Sequence, residues 1–320
     1  MSPTRRDVLR WGAGAGGALL AAAAFSPDAA AAAAAPAAVP AVAAVGPSAW
    51  MSALDDATPL TALTIPGTHD SCCTDPLHGT EWSHTQNWGL PEQLQRGIRF
   101  LDIRCNGLAG TADELGIYHS DNYQYVRLQD VLDQCRAFLA ANPGEGLVMR
   151  VRNEYAGGNR LDDTEFQHRI NHYLDDLGYR SLFWTNPWWP TLGQARGRVV
   201  LAADFANPWS VIQWSSATNT WFATQDTFQG ISLAAKSKAV TDWFDRAFLD
   251  QGSPRMYVNF TSYANGGWPK VNAAAIMPPV RDYLDARRQQ PAHFGIVPMD
   301  FPDFHTDVLQ LLIDKNFIGR

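Results

Sequence analysis

The stretch Leu63-Thr64-Ile65-Pro66-Gly67-Thr68-His69-Asp70-Ser71 decides how the chain is read. A short apolar strand runs into a Pro-Gly break, and a His-Asp pair follows at once. Gly67 lets the backbone turn where a side chain would clash. His69 then projects from a strand end, where barrel and open-sheet enzymes place catalytic groups. Taken alone, the stretch reads equally well as a strand-end turn whose His and Asp make local hydrogen bonds. Three polar clusters at later strand ends tip the reading toward chemistry: Asp102 with Arg104, then His119, then Asp300.

Working outward, Ile98-Arg99-Phe100-Leu101-Asp102-Ile103-Arg104 alternates as a strand. Ile98, Phe100 and Asp102 share one face, and Arg99, Leu101 and Ile103 the other. Leu115 to Tyr118 is a further short strand ending at His119. Leu128 to Ala141 carries Val131, Leu132, Cys135, Phe138 and Leu139 on one stripe, an amphipathic helix stopped by Asn142-Pro143-Gly144. Later strands are predicted at 146–152, 198–204, 221–224, 255–260 and 294–299, and helices at 163–177, 237–250, 271–288 and 305–316. Strands alternate with helices at the βα period. About eight strands in ~270 residues predict a parallel α/β fold, an irregular TIM-type (β/α)8 barrel in one domain. No Gly-rich phosphate loop opens a helix, so no nucleotide cofactor is expected.

Composition narrows the function. The net charge of -7 argues against a nucleic-acid partner, which needs a basic stripe to neutralise phosphates. It also argues against adhesion to anionic membrane by bulk charge. Of the 12 Trp, most are expected in core or loop packing and a few on one rim as interfacial anchors. Trp88, Trp189, Trp221 and Trp268 are the candidates, with Trp268 first because a Gly-Gly loop carries it. Cys72, Cys73, Cys105 and Cys135 lack CxxC spacing, so no zinc site is expected. In an exported protein a bridge from Cys72 or Cys73 to Cys105 would tie two loops of the site, and the connectivity is open.

Export itself is read from Arg5-Arg6-Asp7-Val8-Leu9, followed by a weakly apolar Gly/Ala run from Gly12 to Phe25. This is a twin-arginine signal, too short and Gly-rich for a membrane span. Residues 1–45 form the signal and Ala/Pro-rich leader, with cleavage between Ala29 and Ala44, and residues 46–320 form the catalytic domain. The expected location is extracellular. An Ala-rich tail on a cytoplasmic protein is the plainer alternative, which the twin Arg before Val-Leu disfavours.

The motifs Ile65-Pro66-Gly67-Thr68-His69-Asp70-Ser71, Arg96-Gly97-Ile98-Arg99-Phe100-Leu101-Asp102-Ile103-Arg104, Tyr118-His119 and Met299-Asp300-Phe301 resemble bacterial phosphatidylinositol-specific phospholipase C in order and spacing. The resemblance implies a phosphodiester cleavage by two histidines. His69 would be the general base for the inositol 2-hydroxyl, and His119 the general acid for the departing diacylglycerol oxygen. Arg104 would stabilise the phosphate oxygens. Asp300 would orient the base, Asp70 support the acid, and Asp102 brace the site. Calcium-dependent relatives bind their metal where Arg104 stands, so no metal and no cofactor are implied. The chemistry is self-consistent: an internal nucleophile needs one base, one acid and one positive charge near the phosphorane. Histidine suits both proton roles, and a guanidinium holds two phosphate oxygens at once.

In the headgroup pocket the resemblance is looser. Arg152 stands where the family has a Lys, and Asp204 where it has an Arg. Asp226 matches a pocket Asp, and Phe228 replaces the Tyr that stacks under the ring. The partners expected are phosphatidylinositol-containing membranes, met peripherally by a monomer. Two other readings stand beside this one. One is a metal-dependent phosphodiesterase using the histidines with acids such as Asp102 and Glu154. The other is a lipid-binding barrel without turnover. The plainer reading of Arg104 is a salt bridge to Asp102 that only stiffens the strand.

Overall fold

The computed structural model describes residues 46–154, 160–214 and 220–319. The leader, with Arg5 and Arg6, lies outside the described residues. Among them, no helix is long and apolar enough to cross a membrane.

Strand β1 (Thr64–Thr68) is the hub. It pairs in parallel with β2 (Phe100–Gly107) on one side and β11 (Gly295–Met299) on the other. Beyond β2 follow β5 (Leu147–Asn153), β7 (Val199–Asp204) and the short β6 (Phe183–Trp184). Beyond β11 follow β10 (Met256–Asn259) and β9 (Phe222–Gln225). The eight parallel strands curl into a barrel with one open seam, between β9 and the short strands that take the outer edge of β7. That edge is shared, its lower half pairing with β6 and its upper half with β8 (Ile212–Gln213). Aromatic side chains span the seam in place of hydrogen bonds. The rings of Trp214 and Phe222 meet at 4.5 Å, and Trp189 Nε1 donates to the Trp221 carbonyl at 3.1 Å.

Helices cover the outside. They are α1 (Leu90–Gln95), α2 (Leu128–Ala141), α3 (Asp163–Asn171), α4 (Leu192–Ala195), α5 (Leu233–Leu249), α6 (Pro269–Ala286) and α7 (Thr306–Asp314). The predicted α2 is met to the residue, and its Val131, Leu132, Cys135, Phe138 and Leu139 are buried. Helix α6 runs through both Pro278 and Pro279.

Two expectations change. Leu115 to Tyr118 is not a barrel strand. It forms β3 (Leu115–His119), antiparallel to the end of β2 and paired with β4 (Asn122–Arg127) as a hairpin. Two residues of β6 take the eighth place instead, too few for a periodic signal. Nor does Pro66-Gly67 break the chain: β1 continues through both, paired to Pro298 and Phe100 at Gly67. The glycine is there for room. A Cβ at Gly67 would stand 2.7 Å from Phe100 Cδ1, so the barrel interior takes the Phe100 ring in its place.

Register then stacks the interior. Partners on parallel strands point the same way, so Phe100 and Val148 share a lower layer, Asp102, Arg150 and Ala202 the next, and Arg104, Arg152 and Asp204 the top. At the opposite end Arg99 is fully buried against Glu145, at 2.7 Å. Its Nε donates to Glu145, its other nitrogens donate to the carbonyls of Leu94, Ile98, Pro47 and Ser48, and this closes the barrel floor.

The β10–β11 contact depends on Gly295, which has φ +71 and where a Cβ would overlap the carbonyl oxygen of Tyr257. Gly295→Ala is therefore expected to destabilise the fold by about 2–4 kcal/mol, from backbone strain and overpacking together. Urea unfolding of the variant against the parent measures it.

Candidate active site

The C-terminal ends of β1, β2, β3 and β11 converge on one point. The N–H of His69 donates to the Met299 carbonyl at 3.0 Å, which ties the residue after β1 to the end of β11. Asp300 is thereby set beside His69, and His69 Nδ1 lies 2.9 Å from Asp300 Oδ1. Gln86 Nε2 donates to the carbonyls of both His69 and Met299, at 2.7 and 3.0 Å. The Phe260 ring meets the imidazole edge-on at 6.0 Å.

Asp70 follows with φ 44, a left-handed turn that costs an L-residue energy and needs surrounding structure to hold it. The turn drives its carboxylate into the barrel mouth, where it is buried. Asp70 Oδ2 is 3.3 Å from His69 Nε2 and 3.6 Å from His119 Nε2. Asp70 Oδ1 is 2.8 Å from Arg104 Nε. Both oxygens lack a well-aligned hydrogen-bond donor, so charge holds them.

Arg104 also donates through Nε and a terminal nitrogen to Asp102 Oδ2, at 3.1 and 2.9 Å. The plainer expectation of an Arg104–Asp102 pair is thus true but incomplete. Asp102 is fixed in turn: its N–H donates to Ser71 Oγ at 2.8 Å, and the Asp70 N–H donates to its Oδ2 at 3.3 Å. His119 closes the ring from the β3–β4 hairpin. Ser120 beside it has φ 51, and its N–H donates to Glu154 Oε1 at 3.3 Å.

All six residues expected to carry chemistry meet here: His69, Asp70, Asp102, Arg104, His119 and Asp300. The four expected to bind substrate divide. Arg152 and Asp204 line a cavity of about 660 Å³ beside the cluster, with Arg150, Asn153, Arg160 and Gln213. Asp226 and Phe228 follow β9 and do not line it, and Phe228 is 41% exposed on the rim. The bridge suggested for Cys72 or Cys73 with Cys105 is not formed. All four cysteines are free and buried, and burial pushes the Cys72 thiol up to about 12.

Electrostatics follow from crowding. Burial opposes a charge on His69, but Asp70 and Asp300 outweigh burial and Arg104 together and raise its imidazole to about 9. Burial would also raise the Asp102 carboxyl, yet Arg104 and Arg150 hold it well below the carboxylate range. Loss of hydration lifts the Asp226 carboxyl despite the cations His69, Arg150, Lys236 and Arg104. The ligand-type atoms of His69, Asp70 and Asp102 lie within 4.8 Å of one another, a spacing that suits a cation. The Arg104 guanidinium already presses on two of the three, so the chain supplies positive charge there itself.

Arg150, Gln86 and Lys236 were missed by the sequence reading, and Glu154 was considered only as a metal ligand. Arg150 had a readable signal: in strand alternation it shares the face of Arg152 and registers with Asp102. Gln86 lies in a segment with no period to place it, and Lys236 lies in the first turn of α5, just before the predicted helix start at 237.

A strand-end His and Arg cluster over an α/β barrel defines a class of acid–base enzyme. The comparisons narrow it. The family described as "Phosphatidylinositol-specific phospholipase C, X domain" matches residues 58–204. A Listeria monocytogenes protein named 1-phosphatidylinositol phosphodiesterase is 31% identical over 273 residues, covering 80% of this chain and 82% of that one. A Staphylococcus aureus protein of the same name is 29% identical over 301 residues, 84% of this chain and 94% of its own. The solved phosphatidylinositol-specific phospholipase C from Listeria monocytogenes superposes with a TM-score of 0.72 at 28% identity, over 85% of this chain and 99% of that one. A variant of the Staphylococcus aureus enzyme gives 0.76 at 27%, over 86% and 98%. The chain belongs to the bacterial phosphatidylinositol-specific phospholipase C family.

In Asp300→Asn the imidazole loses one of the two carboxylates that favour its charged form, so the His69 midpoint falls from about 9 toward the ordinary histidine value. Proton NMR titration of the His69 Cε1–H in both proteins reads this shift. An unchanged midpoint would remove Asp300 from the site's electrostatics.

Proposed function

We propose that this chain is a phosphatidylinositol diacylglycerol-lyase, cutting phosphatidylinositol to diacylglycerol and inositol cyclic phosphate. The observation that carries the reading is the pair of imidazoles on one oxygen of Asp70, with Arg104 on the other.

His69 is the base. Asp300 takes the Nδ1–H, so Nε2 is the nitrogen that gains a lone pair once the imidazole, raised against burial to about 9 by Asp70 and Asp300, gives up its second proton. That nitrogen accepts the proton of the inositol 2-hydroxyl as the 2-oxygen bonds to phosphorus. His119 is the acid, giving its proton to the glycerol oxygen as the second phosphorus–oxygen bond breaks. Each proton-transfer group contributes roughly 10²–10⁴-fold. Arg104 meets the charge that develops on the phosphate oxygens. The headgroup enters the cavity that Arg152 and Asp204 line.

The enzyme works as a monomer on a bilayer surface after twin-arginine export, its leader at residues 1–45 and its catalytic domain at 46–320. Support for the surface comes from the rim. Trp268 is 45% exposed and Trp82 48%. Lys270 and Glu81 join their two loops at 3.0 Å, and Leu77 and Tyr125 stand out nearby on the segments that meet at the His78 ring. Trp88, Trp189 and Trp221 pack on the core instead. An indole at a water–lipid boundary gains from both sides of it.

His69→Ala and His119→Ala are each expected to cut release of inositol cyclic phosphate by at least 10²-fold, while excess chelator leaves the parent unaffected. Phosphorus NMR of the product decides, and chelator sensitivity would select the metal-dependent alternative. Trp82→Ala and Trp268→Ala should each weaken binding to phosphatidylinositol-containing vesicles by about tenfold, read by co-sedimentation. Equal binding by both variants would move the membrane surface elsewhere.

A further inference from the structure

Arg150 comes from β5, level with Asp102 and one layer below Arg104, and it is buried, being 5% exposed. It is the register partner of Asp102 on one side and of Ala202 on the other. One terminal nitrogen donates to Asp102 Oδ1 at 3.2 Å. Its Nε and other terminal nitrogen donate to Asp204 Oδ2, at 2.9 and 2.5 Å. The Trp214 ring lies against the guanidinium, 4.5 Å from its carbon, and that indole packs in turn on Phe100, Phe222 and Phe260. The group is therefore clamped by two carboxylates and a core aromatic face.

We propose that Arg150 is a positioning residue for the cleavage, holding Asp102 so that it offers only Oδ2 to Arg104, with Asp204 serving as the counter-ion that anchors Arg150. The proposal rests on the lyase reading above. Asp102 has two oxygens and two arginines. Arg150 occupies Oδ1, so Arg104 meets Oδ2 alone and shares its Nε between Asp102 and Asp70. Without Arg150 the whole Asp102 charge would fall on Arg104 and draw it down, away from the phosphate that it must meet. A displacement of about 1 Å is enough to cost about 10²-fold in rate. Asp204 thus acquires a use that its place among headgroup contacts did not suggest. In the cavity wall the guanidinium and the carboxylate at the end of the next strand neutralise each other.

Three variants test this on a short-chain, water-soluble phosphatidylinositol: Arg150→Met, Arg150→Lys and the double variant Arg150→Met/Asp204→Asn. Arg150→Met should lose on the order of 10²-fold in kcat with KM little changed. That split between kcat and KM is the readout a merely structural role would not move. Arg150→Lys should recover part of kcat, since one ammonium reaches one carboxylate. The double variant removes the stranded Asp204 charge, so it should regain the thermal midpoint of the parent and not its kcat. Full kcat in Arg150→Met, or kcat restored together with stability in the double variant, would overturn the proposal, because Arg150 would then only neutralise Asp204. Should Arg150→Met fail to fold, the lysine and double variants give the same decision. A parent without turnover sinks the lyase reading and this one together, whereas an active parent with an unimpaired Arg150→Met sinks this one alone.

Discussion

The site hangs on a buried carboxylate that has no hydrogen-bond donor aligned to it. Asp70 is 1% exposed, its backbone is strained, and its two oxygens meet only charges. Burying such a group unpaired costs several kcal/mol, so it survives only where cations surround it. Arg104 is one and the His69 imidazole, raised to about 9, is another, with the His119 ring 3.6 Å away. The demand of Asp70 for positive charge is what gathers three groups from three strand ends. It also accounts for where backbone strain is stored. Three of the four non-glycine residues with positive φ among the described residues are Asp70, Ser120 beside His119, and Phe301 beside Asp300. At each the strand has to stop and its last side chain turn inward.

Charge balance explains the basic His69. Asp70, Asp102, Glu154, Asp204 and Asp300 crowd the mouth, against Arg104, Arg150 and Arg152. A proton on His69 makes up part of the difference, and burial alone is not strong enough to refuse it. The carboxylates of Asp70 and Asp300 hold that proton against both burial and the Arg104 guanidinium. Acid–base readiness is here a property of the whole cluster, not of one imidazole.

Much of this was legible in the sequence, and the reason is geometric. Strand alternation put Phe100 and Asp102 on one face, and strand ends put His69, Arg104 and Asp300 at one rim, because parallel barrels present every C-terminal end on the same side, while His119 comes to that rim on the antiparallel strand β3. What escaped was set by contacts across the fold. Gly67 looked like a turn glycine, although its role is to leave room for Phe100, thirty-three positions on. β3 looked like a barrel strand, since a hairpin hanging from β2 has the same composition as a wall strand. Asp204 looked like a lost headgroup contact, since its partner Arg150 is fifty-four residues away. Arg150 itself could have been placed from register with Asp102, had strand pairing been assigned before function.

The two ends of the barrel use the same ion pair for opposite purposes, and solvation separates them. Arg99 and Glu145 are fully buried at the floor, and the guanidinium nitrogens of Arg99 are spent on Glu145 and on four backbone carbonyls. No ligand reaches that pair, and losing either partner would strand a charge at a cost of about 3–5 kcal/mol. Arg104 makes pairs of similar length at the mouth, but its side chain is 13% exposed. Water reaches it there, so its attachments to Asp70 and Asp102 are the more exchangeable. A pair that cannot exchange fixes a fold, and a pair that can exchange is available to a phosphate. By burying the first and leaving the second half-open, the chain puts rigidity at one end of its strands and reactivity at the other.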